Sequence, residues 1–302
     1  MKRVLLTGAT GFIGRHCVPP LQARGFEIHA VSSNVRDDER ALSGIHWKRA
    51  NLLSRDEVAE LMASVQPTHL LHFAWEVTPG KFWASVENLR WVQASLDLLQ
   101  EFASAGGSRV VMAGTCAEYD WRYGYCSEHL TPLAPRTLYG VCKHSLQMMV
   151  AAVAEQLNVS TAWGRVFFLY GTHESPQRLV PQVIRGLLQR ERVGCTEGHQ
   201  LRDFLYVEDV ADAFVALLDS ETEGAVNIAS GKPVAVREIV TRIAEQLGGR
   251  ELVAFGALPT PEDEPPLLVA DTTRLNAEVG WKPAYNLDKG LTRTIEWWKS
   301  NH

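Results

Sequence analysis

The fold class that the sequence predicts is α/β: a Rossmann-type doubly wound parallel sheet with a smaller C-terminal α/β lobe. Three observations predict it. Short runs of valine, leucine and isoleucine alternate with longer amphipathic stretches, a glycine-rich turn follows the first run directly, and the rhythm changes after about Val166. The first candidate strand is 3–7, whose unbroken Val4, Leu5 and Leu6 suit a strand covered on both faces. Candidate strands at 27–32, 69–73, 109–113 and 160–166 repeat the pattern, with helix-length segments 11–24, 55–64 and 84–105 between them. Residues 138–157 are helical, because Leu146, Met149, Val150, Val153 and Leu157 mark one apolar face. Pro132 and Pro135 precede that helix, where they end a loop without interrupting it. Segments 202–218 and 225–228 are expected to return to the first lobe. The expected division is therefore 1–166, with about 203–230, for the sheet domain, and 167–202 with 231–302 for the smaller lobe. Residues 259–268, PTPEDEPPLL, read as an extended loop.

Composition narrows the class. The 302 residues are 46% hydrophobic and 22% charged, near globular averages, so a well-packed soluble chain is expected. A net charge of -5 offers no basic face to nucleic acid or anionic lipid, and neither is expected as a partner. Five cysteines without a C-x-x-C pair argue against a disulfide framework or a metal site and suit a reducing, cytoplasmic setting. The N-terminus reads as no signal peptide, and no apolar run approaches the ~18 residues of a membrane span.

Residues 7–14, TGATGFIG, sit at the first strand–helix junction. Gly8 and Gly11 let the backbone turn and approach a pyrophosphate, Gly14 allows close helix packing, and Thr10, Phe12 and Ile13 complete the candidate cradle. The second strand ends in VSSNVR, with no acid before Asp37. Ser32, Ser33, Asn34 and Arg36 suit a 2′-phosphate, so NADP is favoured over NAD.

Further motifs follow in order: LLHFAW at 70–75, Asn88 in its helix, SEHLTPLAPRTLYGVCK ending at Lys143, RVFFLYG at 165–171, RDFLYVEDVADAF at 202–214, NIASGKPVAVREI at 227–239 and VGWKP at 279–283. Together with the glycine loop, this series resembles the extended short-chain dehydrogenase/reductases that act on nucleotide sugars, over nearly the whole chain. The resemblance implies candidate cofactor contacts at Asn51, Leu52, Phe73, Ala74, Lys143 and Val166 besides the loop residues. It also implies a homodimer built through the helices at 84–105 and 138–157.

Two Tyr–Lys pairs share one spacing, YGVCK at 139–143 and YNLDK at 285–289. The family's catalytic pair begins a helix after a Glu/Pro segment and follows a Ser or Thr ending the fourth strand. Tyr139 and Lys143 fit, with Thr115, whereas the resemblance implies a surface role for the second pair. Positions i and i+4 share a helix face. A lysine charge a few ångströms from a phenol contributes up to roughly 4 kcal/mol at an effective dielectric of ~20, enough to lower its pKa by two or more units before desolvation opposes it. Tyr139 is then read as the acid that protonates a carbonyl oxygen, and Thr115 as its hydrogen-bonding companion.

Departures refine the reading. The family's 4,6-dehydratases follow the Thr with Asp and Glu; here Cys116 and Ala117 stand there, which argues against that chemistry. The Asn usual in R-x-x-N is Phe168, and an Arg expected in 259–268 is absent. Arg202 remains as a phosphate ligand, with Arg178 and Arg185 as helpers, and Trp75, Trp83, Tyr119 and Trp121 as candidate pocket walls. The expected function is an NADPH-dependent ketoreductase of a nucleotide-linked keto-deoxysugar, at C4. The alternatives are an NAD-dependent 4-epimerase and a non-catalytic dinucleotide sensor.

Overall fold

The structure is a computed structural model that describes residues 2–34 and 44–301. In chain order the strands are β1 (Arg3–Thr7), β2 (Glu27–Ser32), β3 (Ile45–Arg49), β4 (His69–His72), β5 (Arg109–Thr115), β6 (Tyr125–Cys126) and β7 (Ser160–Val166). They continue as β8 (Phe168–Tyr170), β9 (Val193–Gly194), β10 (Leu201–Tyr206), β11 (Gly224–Ile228), β12 (Pro233–Ala235), β13 (Val253–Ala254) and β14 (Leu267–Ala270). The helices are α1 (Val18–Ala23), α2 (Arg55–Val65), α3 (Glu87–Ser104), α4 (Leu138–Val153), α5 (Leu179–Leu188), α6 (Val207–Leu218), α7 (Val236–Leu247), α8 (Thr273–Ala277) and α9 (Leu287–Ser300).

Seven strands make one parallel sheet in the order β11–β7–β5–β4–β1–β2–β3. The two-residue side-chain period explains how it is covered. In β1, Val4 and Leu6 join the core under α1 and α6, whereas Leu5 joins the one under α2, α3 and α4. Burial on both faces is what the continuous apolar runs require. The chain runs outward from β1 to β3 and returns to β4 on the other side of β1. The strand order therefore switches between β1 and β4, where ligands of such sheets bind.

The remaining strands form a five-stranded sheet, β12–β10–β14–β6 with β8 also on β10, and a two-stranded pair, β13–β9. A separate core joins β8, β10, α5, α7 and α9 through Tyr170, Val183, Ile184, Ile239, Ile243, Leu291 and Trp298. Strand β6 lies within the first 166 residues yet pairs with β14, so that stretch supplies a strand to the second sheet.

Several elements differ from the sequence reading. Residues 11–24 are not one helix: a single 3-10 turn occupies Gly14–Cys17 and α1 begins at Val18. Pro19 and Pro20 explain the restart, since their missing N–H groups are harmless only in a first turn. Helix α4 stops at Val153, four residues early, and opens on Thr137, whose side chain accepts from Gly140 N at 3.1 Å. Strand β3 had no counterpart among the expected strands. It is an edge strand carrying His46, Lys48 and Arg49, and such polar edges hide the apolar signal. Leu267 and Leu268 belong to β14 rather than to the preceding loop.

Candidate active site

The glycine loop is built from backbone contacts. Gly8 has φ +66°, and Gly11 N donates to Gly8 O at 2.9 Å. A Cβ on Gly14 would lie 2.2 Å from Gly8 O, so a side chain there would force the turn open. Thr10, Phe12 and Ile13 stay partly accessible beside it. The loop is clamped to the end of β4, where Thr7 Oγ1 accepts from Phe73 N at 3.1 Å and Ala74 N at 3.2 Å.

Behind that clamp lies a relay that the sequence reading missed. Thr7 Oγ1 is 2.7 Å from His72 Nδ1, His72 Nε2 is 2.9 Å from Ser95 Oγ, and Ser95 donates to Trp91 O at 2.8 Å. Burial lowers the His72 pKa to about 3, so the imidazole is neutral and the donors run from Thr7 through His72 to Ser95. His72 is the third residue of the family-like LLHFAW segment, and that was the only signal of it in the sequence.

At the end of β2, Ser32 is partly accessible, and its hydroxyl holds the turn by donating to Asn34 O at 3.1 Å. Ser33 and Asn34 are exposed. Arg36 lies outside the described residues. Asn51 is exposed with its side chain engaged by Leu53 N at 3.1 Å, while Leu52 is buried in the turn after β3 and Val166 is buried at the end of β7.

Thr115, Tyr139 and Lys143 come together. Thr115 ends β5, its hydroxyl near enough to the Tyr139 phenol to favour its ionisation, and it accepts from Ala117 N at 3.2 Å. Tyr139 is 9% exposed, its ring 4.9 Å from Phe82, 5.7 Å from Trp83 and 6.5 Å from Trp75. Asn88 fixes this box: its Nδ2 donates to Phe82 O at 2.7 Å and its Oδ1 accepts from Trp75 Nε1 at 2.7 Å. Lys143 donates to Ala113 O at 2.9 Å and lies 3.7 Å over the Trp75 ring.

The electrostatics correct one expectation. Burial pushes the Tyr139 phenol well above its ordinary pKa, and burial brings Lys143 down to about 7. Desolvation and the nearby Glu118 charge both oppose ionisation, so Tyr139 is held as a protonated acid. The second pair differs in kind. Tyr285 precedes α9, is half-buried and donates to Glu208 at 2.9 Å, whereas Lys289 is exposed.

Beneath Thr115 lies a buried network absent from the sequence reading. Glu118 is fully buried and accepts from Thr115 N at 2.9 Å, Trp163 Nε1 at 2.9 Å and Arg165 Nε at 2.7 Å. Tyr119 belongs to it too. Its hydroxyl accepts from Arg165 at 3.1 Å and donates to Asn227 at 2.7 Å, and at 1% exposure it is a framework residue rather than a pocket wall. Cys116 and Ala117 are buried, and burial raises the Cys116 thiol far above its ordinary pKa.

On the second-lobe side, Trp121 donates to Cys116 O at 2.9 Å and its ring lies 6.4 Å from Trp83. Phe168 packs into the Cys116–Trp121 cluster, and Arg202 stacks 5.4 Å over Phe168. Arg178 is exposed and lies 5.6 Å over Phe82, near the Tyr139 box. Arg185 is directed elsewhere, 5.8 Å over Trp298 in the second core. Among the described residues no group of three or more His, Cys, Asp or Glu is placed to hold a metal ion, and no helix is long and apolar enough to cross a membrane.

The fold recurs in known proteins. Residues 4–229 match the model of the NAD dependent epimerase/dehydratase family. The chain is 27% identical to UDP-glucuronic acid decarboxylase 1 of Danio rerio over 308 residues, covering 98% of this chain and 72% of that protein. It is 24% identical to CDP-abequose synthase of Salmonella typhimurium, covering 97% of each. Among solved structures, the UDP-glucose 4-epimerase of Thermus thermophilus in complex with NAD superposes with a TM-score of 0.84 at 24% identity, covering 99% of this chain and 100% of that one.

Proposed function

The chain belongs to the NAD dependent epimerase/dehydratase family, and from that premise we propose that it is an NADPH-dependent ketoreductase of a nucleotide-linked keto-deoxysugar, acting at C4. The observation that carries this reading is a protonated Tyr139 with no acid and base of the dehydratase kind at the two positions after Thr115. Tyr139 is protonated beside Thr115, while Cys116 is a buried neutral thiol, Ala117 has no titratable group, and Glu118 is consumed by Arg165, Trp163 and the Thr115 N–H. Removal of water needs a separate acid and base, whereas carbonyl reduction needs one acid.

The glycine turn and the β1–β4 crevice fit a dinucleotide, because Gly8 and Gly14 keep backbone where side chains would intrude. The bound nicotinamide supplies the hydride. Tyr139 gives its proton to the carbonyl oxygen, Thr115 shares that oxygen, and Lys143, now at Ala113 O and over Trp75, would bind the nicotinamide ribose. Phe82, Trp83 and Trp75 exclude water from the phenol.

Incubation with NADPH and 4-keto nucleotide sugars tests the reading. Loss of the reduced-cofactor absorbance in step with alcohol product is expected. Product formed without net cofactor change would instead assign a 4-epimerase, the reading favoured by UDP-glucose 4-epimerases among similar proteins.

Cofactor preference is separately testable. Ser32→Asp with Arg36→Ala places a carboxylate near the 2′-phosphate and removes a cation. It is expected to weaken NADPH by roughly ten- to a hundredfold, the loss of one charge-assisted hydrogen bond, and NADH far less. Equal losses in fluorescence titrations would assign NAD.

A homodimer through α3 and α4 is part of the proposal. Val86, Leu89, Val141 and Met148 stand exposed on and beside these two helices, an apolar face that suits a second copy. Leu89→Glu combined with Met148→Glu is expected to convert dimer to monomer in sedimentation velocity.

A further inference from the structure

Arg202 lies on β10 with only 2% of its surface exposed, so its charge needs an anion. Its Nη1 donates to Leu201 O at 2.8 Å, and its Nη2 is paired with Glu264 Oε1. The adjacent Asp203 is not that anion. Its carboxylate accepts from Ser230 N, Ser230 Oγ, Gly231 N and Ala270 N at 2.5–3.2 Å and faces the opposite side of the strand.

Glu264 comes from the proline-rich segment before β14. Glu262 and Asp263 are exposed, and Glu264 alone of the three turns inward, its side chain still 30% accessible. The segment is tied down just beyond it, where Leu201 N donates to Pro266 O at 2.8 Å, and a turn closes it from Glu264 N to Pro261 O at 3.2 Å. A half-exposed carboxylate at such a turn can swing into water around a fixed end at little cost. The guanidinium cannot follow it.

The position of this pair matters. The Tyr139 box continues through Trp83 and Trp121 to the cluster that holds Cys116 and Phe168, and Arg202 lies over Phe168. Arg202 also acts on the Cys116 thiol through its charge. The aromatic wall that starts at the proton donor therefore ends at a buried guanidinium whose carboxylate partner is on a loop.

We infer that Glu264 is a built-in competitor for the substrate's diphosphate: it neutralises Arg202 in the free protein and is displaced when the diphosphate takes the guanidinium. The inference rests on the reading of a nucleotide-linked substrate. A diphosphate carries more charge and more acceptors than a carboxylate, so it can take the planar fork in two parallel bonds. Arg202 is never left without an anion, which explains how it stays buried in both states. The exchange also selects ligands, because a group with a single weak charge gains nothing over Glu264.

Calorimetric titration of the intact chain with UDP, CDP, dTDP and inorganic pyrophosphate tests this. Glu264→Gln keeps the shape of the side chain and removes its charge. Losing a charged competitor is expected to tighten the nucleoside diphosphate that binds by roughly tenfold. The gain for the sugar substrate is expected in KM rather than kcat. Arg202→Met is expected to lose binding, and thermal melts identify a variant that has failed to fold; Glu264→Ala then replaces Glu264→Gln. Equal affinity in the wild type and Glu264→Gln, with Arg202→Met weaker, overturns the competition and leaves the nucleotide reading standing. Absence of nucleoside diphosphate binding to the wild type and to Glu264→Gln alike overturns both.

Discussion

Replacing Tyr139 with phenylalanine is expected to lower kcat for carbonyl reduction by roughly 10²–10⁴-fold, the usual contribution of a positioned general acid. The phenyl ring keeps the contacts with Phe82, Trp83 and Trp75, so folding and dinucleotide binding should survive. The pH profile separates a proton donor from a packing residue. Burial raises the Tyr139 pKa, and the protonated phenol is the active form. Wild-type reduction should therefore hold through neutrality and fall only as pH rises toward that raised value. In the phenylalanine variant the residual rate loses this alkaline limb. Unchanged turnover in Tyr139→Phe would remove the assignment.

Glu118→Ala is expected to destabilise the protein by about 3–5 kcal/mol, the cost of leaving a buried charge without its partner. The Arg165–Glu118 pair is fully enclosed, at 1% and 0% side-chain accessibility, and the same carboxylate holds Trp163 and the Thr115 N–H. Among the described residues Arg165 would keep only the Tyr119 hydroxyl. Chemical denaturation should show the loss as a lower midpoint at similar slope. Combining Glu118→Leu with Arg165→Met removes both charges and should recover much of the stability, since apolar replacement of a buried pair is often neutral. Activity should not recover in step, because Thr115 has lost the carboxylate that fixes its backbone. A double variant with both stability and turnover restored would show that Glu118 serves the fold alone.

Lys143 adds a pH dependence to the stability of the protein. Its pKa falls from 10.5 to about 7 on burial, so the unfolded chain binds the extra proton between those values. Stability from this group is present above the unfolded pKa and is lost as pH falls toward about 7.

The legible part of the site is the part written in local chemistry. The glycine loop could be placed because its backbone turn and close approach are demands on successive residues. Tyr139 and Lys143 could be paired because one helix face joins positions four apart, and the surrounding motifs separated them from Tyr285 and Lys289. The 3-10 turn at Gly14–Cys17 was hidden, since its period over four residues is indistinguishable from a helix start. Tyr119 was misread for another reason. An aromatic residue next to a site shows no sign, in one dimension, of which way it faces.

By itself the sequence determined the parallel α/β sheet and the glycine turn, because each follows from apolar period or backbone freedom, while its resemblance to a family singled out Thr115, Tyr139 and Lys143. Only the tertiary structure decided what surrounds them. Glu118 meets Arg165 across 47 residues, Thr7 meets His72 across 65, and Arg202 meets Glu264 across 62. Such partners are chosen where crossover connections lay strands and loops side by side, and no periodicity records that choice. The direction of the Tyr139 pKa was decided there as well, because it depends on how completely Phe82, Trp83 and Trp75 exclude water from the phenol.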